Sequence, residues 1–373
     1  MIRVVLILLC FISLNVKAQD GENFIDFRGQ LSIWGNYNNA SDNYAFGGRY
    51  IPQLNAGAGN DKNLLDMELS ANMFANFIGD DYEPDAKIKP YRAWLRFSTR
   101  QFELRAGLQK INFGSAKILR PLMWFDQVDP RDPLQLTDGV YGLLARYYFL
   151  NNANIWLWSL YGNDDPKGWE RTRTYDKTPE FGGRVQLPAW SGEVALTYHH
   201  RKTSAGDELM FPFWDKASEN RLGIDAGFDW VIGFWGEASY SNTSIEQETK
   251  YNQLLSNVGA DYTFDIGNGL HLVFEQLIAS FGNEAFNFSN SYNFSLLSTS
   301  YPISLFDNIN YVMYYSWDTE KMYNFINYQR QYNNLSFNIM AYWNPDDFVL
   351  PQPGMQNNMF AGKGMQLMIV YTH

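Results

Sequence analysis

From Phe27 onward the chain alternates apolar and polar residues with a period of two. Between Leu65 and Phe77 one face reads Leu65, Met67, Leu69, Ala71, Met73, Ala75 and Phe77, while the interleaved face carries Asp66, Glu68, Ser70, Asn72 and Asn76. Successive side chains of a strand point to opposite faces, so one face seeks hydrocarbon and the other water. No segment after residue 18 approaches the roughly 18 consecutive apolar residues of a membrane helix. The pattern predicts an all-β chain that crosses a membrane as a transmembrane antiparallel β-barrel.

Eighteen segments carry the alternation, near 24–38, 46–55, 63–78, 88–99, 102–112, 140–150, 153–163, 180–189, 192–202, 220–231, 234–244, 252–265, 269–281, 289–304, 308–317, 321–332, 334–343 and 362–373. The weakest is 46–55, interrupted by Pro52; sixteen strands is the alternative count. Bacterial barrels put short turns in the periplasm and long loops outside. Asn151-Asn152, Trp190-Ser191, Ile232-Gly233, Gly267-Asn268, Phe306-Asp307 and Asn333 are short connections, and 113–139, 164–179, 203–219 and 344–361 are long ones between them. That sorting returns both termini to the periplasm.

Residues 1–18 have a basic start at Arg3, an apolar run from Val4 to Leu14 and small or polar residues up to Ala18. They read as a signal peptide cut after Ala18, with residues 19–373 as the barrel. The single cysteine, Cys10, lies in that run behind Leu9, too large for the usual lipoprotein site, so the mature chain needs no disulfide. Cleavage removes Arg3 and Lys17 and none of the 40 acids, moving the net charge from −11 to −13 and disfavouring nucleic acid. An aromatic fraction of 17% fits girdles at two membrane interfaces. At the other end Met365, Leu367, Ile369, Tyr371 and His373 share one face, resembling the terminal strand that outer-membrane assembly machinery reads, with His in place of the usual Phe.

If the apolar face of each strand meets lipid, the other lines a lumen rich in arginine. Arg92, Trp94 and Arg96 belong to it, opposite Tyr91, Ala93, Leu95 and Phe97; Glu103, Arg105, Gly107 and Gln109 follow. Then come Arg146, Arg184, His199 and Arg201, and Arg221, Asp225 and Asp229. Arg96, Arg105, Arg146 and Arg184 each lie roughly four to six residues from a short turn, hence at comparable depth apart from barrel shear. Guanidinium groups hold carboxylate or sulfate oxygens in pairs, which would bias passage toward anionic or hydroxyl-rich solutes. The competing reading pairs these arginines with Glu103, Glu193, Asp225, Asp229 and Glu237 in a network that only stiffens the wall. The sequence leaves both open.

The longest connection, 113–139, carries the apolar cluster Ile118, Leu119, Leu122, Met123, Trp124 and Phe125. Such a cluster is costly in water, so the loop is expected to fold into the barrel and present Lys117, Arg120, Asp126, Asp129, Arg131 and Asp132 to the solute path; an external cap is the alternative. Pro130 and Pro133 match no calcium-loop spacing. Acidic tips at 80–85, 163–165 and 344–347 read as solvated loop ends. Of the histidines after residue 18, His199, His200, His271 and His373, none stands beside a serine nucleophile, and His271 and Glu275 are four residues, or about 13 Å, apart along a strand. No catalytic residue, cofactor or metal site is expected.

The stretch ELRAGLQKINFGSAKILRPLMWFDQVDPRDP, residues 103–133, resembles the strand, Gly-Gln, Asn-Phe-Gly and long Asp-Pro loop of Gram-negative outer-membrane porins, and more loosely the alginate-export and related solute-selective barrels, in the style of Bacteroidetes. The resemblance implies a passive pore of about 16 to 18 strands with a basic, constricted interior. The expected function is diffusion of small polar, anionic or sugar-like solutes across the outer membrane. Expected partners are outer-membrane lipid, the assembly machinery and small solutes, with oligomerisation open. A polysaccharide export pore with periplasmic partners and an outer-membrane hydrolase are the alternatives.

Overall fold

The computed structural model describes residues 16–17, 23–40, 43–60, 62–78, 85–205, 214–244, 250–284, 286, 290–347 and 358–373. Apart from a two-residue bridge at Val16–Lys17, the expected signal peptide, with Cys10, lies outside these residues, as do most of the acidic tip at 80–85 and residues 348–357.

Eighteen antiparallel strands form the wall: β1 Phe24–Asn38, β2 Asn43–Gly59, β3 Asn63–Ile78, β4 Asp85–Thr99, β5 Phe102–Gln109, β6 Val140–Tyr148, β7 Asn154–Leu160, β8 Glu180–Ala189, β9 Gly192–Ala205, β10 Trp214–Asp229, β11 Gly233–Ser244, β12 Lys250–Phe264, β13 Leu270–Gly282, β14 Ser291–Pro302, β15 Asp307–Ser316, β16 Lys321–Gln331, β17 Leu335–Trp343 and β18 Lys363–Thr372. Each pairs with the next, and β18 pairs with β1 from Gln30 opposite Thr372 to Asn38 opposite Gly364. The barrel is therefore closed, with no free edge among its described strands for another chain to template upon. Beyond the ladder, Gly29 and His373 exchange both main-chain hydrogen bonds, at 3.1 and 3.0 Å, and the His373 ring lies 3.2 Å from the Tyr50 hydroxyl and against Phe27.

The doubtful strand is real and longer than the pattern implied. β2 pairs along its length with β1, and its ladder to β3 lapses only at Ile51 and Pro52, where proline has no N–H to give. The neighbouring Pro90 sits beside a bulge, where the β3–β4 register slips between Ser70 and Ala71. Strands β5 and β7 stop short of their expected ends, at Gln109 and Leu160, because the chain beyond turns into the barrel.

Outward faces bear the apolar set: Leu65 and Leu69 on β3, Leu95 and Phe97 on β4, and Met365, Leu367, Ile369 and Tyr371 on β18 are all exposed. Inward faces depart from the expected uniform polarity. On β12 to β17 they present Leu255, Leu277, Phe294, Leu296, Tyr314, Tyr323, Phe325, Met340 and Tyr342, buried in one apolar cluster with Leu119, Met123, Trp169 and Phe360. The physical reason is that inward-folded segments bring apolar side chains that need an apolar wall to pack on.

Candidate functional site

Residues 110–139 leave β5 and cross the interior. Ile111, Phe113, Leu122, Trp124 and Phe125 pack with Val140, Leu144, Trp158 and Leu160 of β6 and β7, while Leu119 and Met123 reach the cluster on the far wall. Two inward-pointing carboxylates hold the segment's backbone. Glu237 of β11 accepts hydrogen bonds from the amides of Ala116 (2.9 Å) and Leu122 (2.5 Å). Glu275 of β13 accepts from three consecutive amides, Lys117 (2.8 Å), Ile118 (3.2 Å) and Leu119 (2.5 Å), and from the Trp235 indole at 3.1 Å. Charge-assisted bonds of this kind are about twice as strong as neutral ones. Glycine makes the approach possible at two points. Gly114 has φ +106, and a Cβ there would lie 2.4 Å from Glu237 Oε2; a Cβ at Gly223 would meet Leu122 at 2.4 Å.

A second inward segment, 163–172, locks onto the first. The Trp169 indole donates to the Arg120 carbonyl at 2.8 Å, and Glu170 pairs with Arg201 at 2.9 Å and Arg221 at 2.6 Å. Arg201 and Arg221 also share Glu219, each at 2.7 Å. A third, the short helical turn Asn358–Phe360, buries Phe360 against Phe325 and Tyr342, with Arg131 over its ring at 5.0 Å.

A cavity of about 680 Å³ lies between the 110–139 segment and the inner faces of β14 to β17. Lys110, Lys117, Arg120, Arg131 and Asp132 line one side; Ser298, Asn310, Asn327, Gln329 and Asn338 line the other, with Val312, Phe325 and Met340 between them. Three of the cations are the inner ends of ion pairs: Lys117 with Asp261 (2.6 Å), Arg120 with Asp126 (2.6 Å) and Arg131 with Asp129 (2.7 Å). None of these three carboxylates lines the cavity; Lys117 and Arg120 are the more exposed ends of their pairs, whereas Arg131 is buried and its Asp129 is the exposed partner. Lys110 forms no ion pair among the described residues. Burial holds the Asp132 carboxyl above the ordinary range.

The residues named from the pattern fall into two groups. Arg96, Glu103, Arg105 and Arg146 come together near the 100–101 turn: Arg96, Arg105 and Arg146 stand 3.6, 3.2 and 3.5 Å from Glu103, with Trp94 beneath Arg105 at 4.8 Å. Of the rest, Lys117, Arg120, Arg131 and Asp132 line the cavity, while the following do not meet an open path. Arg184 is buried, bonded to Asp225 at 2.5 and 2.9 Å. His199 sits unexposed between Glu180 (3.1 Å) and the Trp158 indole (3.2 Å), and Arg201 and Arg221 are sealed beneath the 163–172 segment. Arg92 is spent on the carbonyls of Tyr91 (2.5 Å) and Thr137 (2.9 Å). Asp126, expected to face solute, is fully buried behind Arg120, because a carboxylate desolvated by Trp124 and Phe125 needs that cation at contact distance. Glu237 and Glu193 are not arginine partners: the first holds backbone amides, and the second accepts from Gln186.

Sequence reasoning missed the Glu180–His199 contact and the two amide-binding glutamates. The first was obtainable, since the Trp190-Ser191 turn fixes the β8–β9 register and puts Gly182 opposite His199. The pair is closed to solvent by Phe125 and Trp158, which offers no substrate access. Among the described residues no group of three or more His, Cys, Asp or Glu is placed to hold a metal ion.

No protein-family model matches the chain, and no curated protein matches its sequence. Solved structures do match its shape. OccK5 of Pseudomonas aeruginosa superposes with a TM-score of 0.56 at 10% identity, covering 93% of this chain and 97% of its own. OmpF of Salmonella typhi, in a complex with daunomycin, gives 0.53 at 12%, covering 97% of this chain and 100% of its own. The anion-selective porin of Comamonas acidovorans gives 0.50 at 12%, covering 94% and 100%. This chain has the fold of the outer-membrane porins. Nothing in these likenesses supports the alginate-export or Bacteroidetes side of the resemblance.

Proposed function

We propose that the protein is an outer-membrane diffusion channel of a Gram-negative bacterium, with the 110–139 segment as its constriction and the cavity beside it as the solute path. The observation that carries this reading is the pairing of a cationic wall with an amide and hydroxyl wall across a space of about 680 Å³. A volume of that order suits small solutes, in the ~300–1,000 Å³ range of small-molecule sites. Amides exchange hydrogen bonds with hydroxyl-rich solutes, and Lys110 and Lys117 on the facing side favour anions. The same limited space argues for small solutes over a threaded polysaccharide. Short turns would face the periplasm and long loops the outside.

Liposome swelling with neutral, anionic and cationic sugars, alongside reversal potentials in planar bilayers, tests the reading. Swelling by small neutral and anionic sugars is expected, with an anion-favouring potential that moves toward cations in Lys110→Gln. Absence of any conductance from correctly folded protein, or cation preference unchanged by that substitution, would remove it.

A further inference from the structure

We infer that Arg96, Arg105 and Arg146 form an oxyanion-binding station inside the short-turn end of the barrel, apart from the cavity beside the 110–139 segment. The purpose assigned to it, a holding point for an anion on its way through, rests on the channel reading; its binding chemistry does not.

The register assembles the station. Arg96 of β4 lies directly opposite Arg105 of β5, and Glu103 of β5 lies directly opposite Arg146 of β6. Three guanidinium groups thus surround one carboxylate at 3.6, 3.2 and 3.5 Å, yet its Oε1, the atom nearest Arg105 and Arg146, is buried without a hydrogen bond. Arg96 spends its Nε and one Nη on Asp66, at 2.9 and 2.6 Å. Arg105 and Arg146 donate no side-chain hydrogen bond to any described residue, and the Nε of each is buried without a partner.

Arg184 and Arg201 in this interior are saturated, while Arg49 of β2, over the Phe74 ring at 5.9 Å, shares a buried Nε without a partner. Arg184 gives its two Nη groups to Asp225, and Arg201 is bonded to Glu219 and Thr174. A wall that only needed stiffening would have the same form at Arg105 and Arg146. Instead both are held by their faces, Arg105 on Trp94 at 4.8 Å and Arg146 on Trp156 at 3.8 Å. Stacking fixes the plane of a guanidinium and leaves its N–H edge free. Their side chains are each 15% exposed and that of Arg96 27%, so all three are partly open to the lumen although the Nε atoms of Arg105 and Arg146 are buried.

Charge points the same way. Three cations face Asp66 and Glu103, which leaves one positive charge uncompensated in a partly desolvated pocket. Paired N–H donors in a fixed plane match the oxygens of a carboxylate or phosphate. The ligand class is a small oxyanion, carried by an organic acid or as inorganic phosphate.

Calorimetric titration of the detergent-solubilised protein with inorganic phosphate, and separately with acetate, tests this. Saturable binding of at least one is expected. Arg105→Gln and Arg146→Gln should each weaken it by roughly tenfold, the size of one hydrogen bond to a charged group. Glu103→Gln, which removes the competing carboxylate, should tighten it, an outcome that loss of folding cannot imitate. Lys177→Gln, an exposed loop lysine, should leave it unchanged. Phosphate binding alone identifies a tetrahedral ligand and acetate alone a planar one, and both support the station. No saturable binding of either anion, or binding indifferent to Arg105→Gln, Arg146→Gln and Glu103→Gln, overturns it. Planar-bilayer recordings on the same preparation separate the two proposals: binding without conductance sinks the channel reading alone, and conductance without binding sinks the station alone.

Discussion

The inner faces of β8 to β11 and of β14 to β17 descend from the same alternating pattern, yet they do different things. On β8 to β11 the polar groups are saturated and sealed: Arg184 with Asp225, Arg201 and Arg221 with Glu219 and Glu170, Glu237 with two amides of the inward segment. On β14 to β17 Asn310, Asn327, Gln329 and Asn338 stand around open space. Interior polarity is therefore not one property. Charges buried under a loop hold that loop, whereas neutral amides beside a cavity, such as the half-buried Asn310 and Gln329, border the space that a solute would cross.

The sharpest way to break this contrast is to free the inward segment. Glu237→Ala combined with Glu275→Ala removes the charged acceptors of five backbone amides, at about 1.5–3 kcal/mol for each bond lost. Several-fold higher single-channel conductance is expected, together with proteolytic cleavage within 113–139; unchanged conductance would mean that the segment does not limit flow. Next in size, Arg184→Met should strand Asp225 as a buried, unpaired carboxylate and cost about 3–5 kcal/mol, read as a lowered unfolding temperature in detergent. Conductance of the folded fraction should stay near that of the unaltered protein, since Arg184 touches no open path.

Asn327→Ala sharpens the other side. Stability should change by no more than about 0.5 kcal/mol, while swelling rates for neutral sugars fall relative to those for ions. A large loss of stability with unaltered sugar passage would reverse the roles given to the two walls. The smallest effect concerns Asp132. Its carboxyl is held above the ordinary range by burial, so falling pH protonates it early and removes a negative charge from the cationic side of the cavity. Anion preference should therefore rise modestly as pH falls toward the carboxyl's raised range, and Asp132→Asn should abolish that rise.

Most of the wall was legible because its signal is local. A period of two and the short turns at Asn151-Asn152 and Trp190-Ser191 fix strand identity and register without tertiary knowledge. Even the Arg96–Arg105 juxtaposition follows from the turn at Arg100-Gln101. The filling of the lumen was only half legible. The apolar run Leu119 to Phe125 announced that the loop wants burial, but which carboxylates would receive its amides depends on contacts more than 110 residues apart. Nor could alternation tell that Leu277 and Tyr314 face inward to meet the loop, since an apolar residue on the inner face looks like noise until a partner arrives. Asp126 was misplaced for the same reason: a charge within an apolar stretch was read as pointing to water, when a neighbouring arginine lets it stay dry.

The ladder between β1 and β18, finished by the reciprocal bonds of Gly29 and His373, ties together the two most distant parts of the chain. Completion of the cylinder thus needs a pairing of very high sequence separation, the kind whose loop-closure cost makes it slow compared with forming a hairpin. Until that moment the chain offers two raw margins to its neighbours, and chaperoning is needed most in that interval.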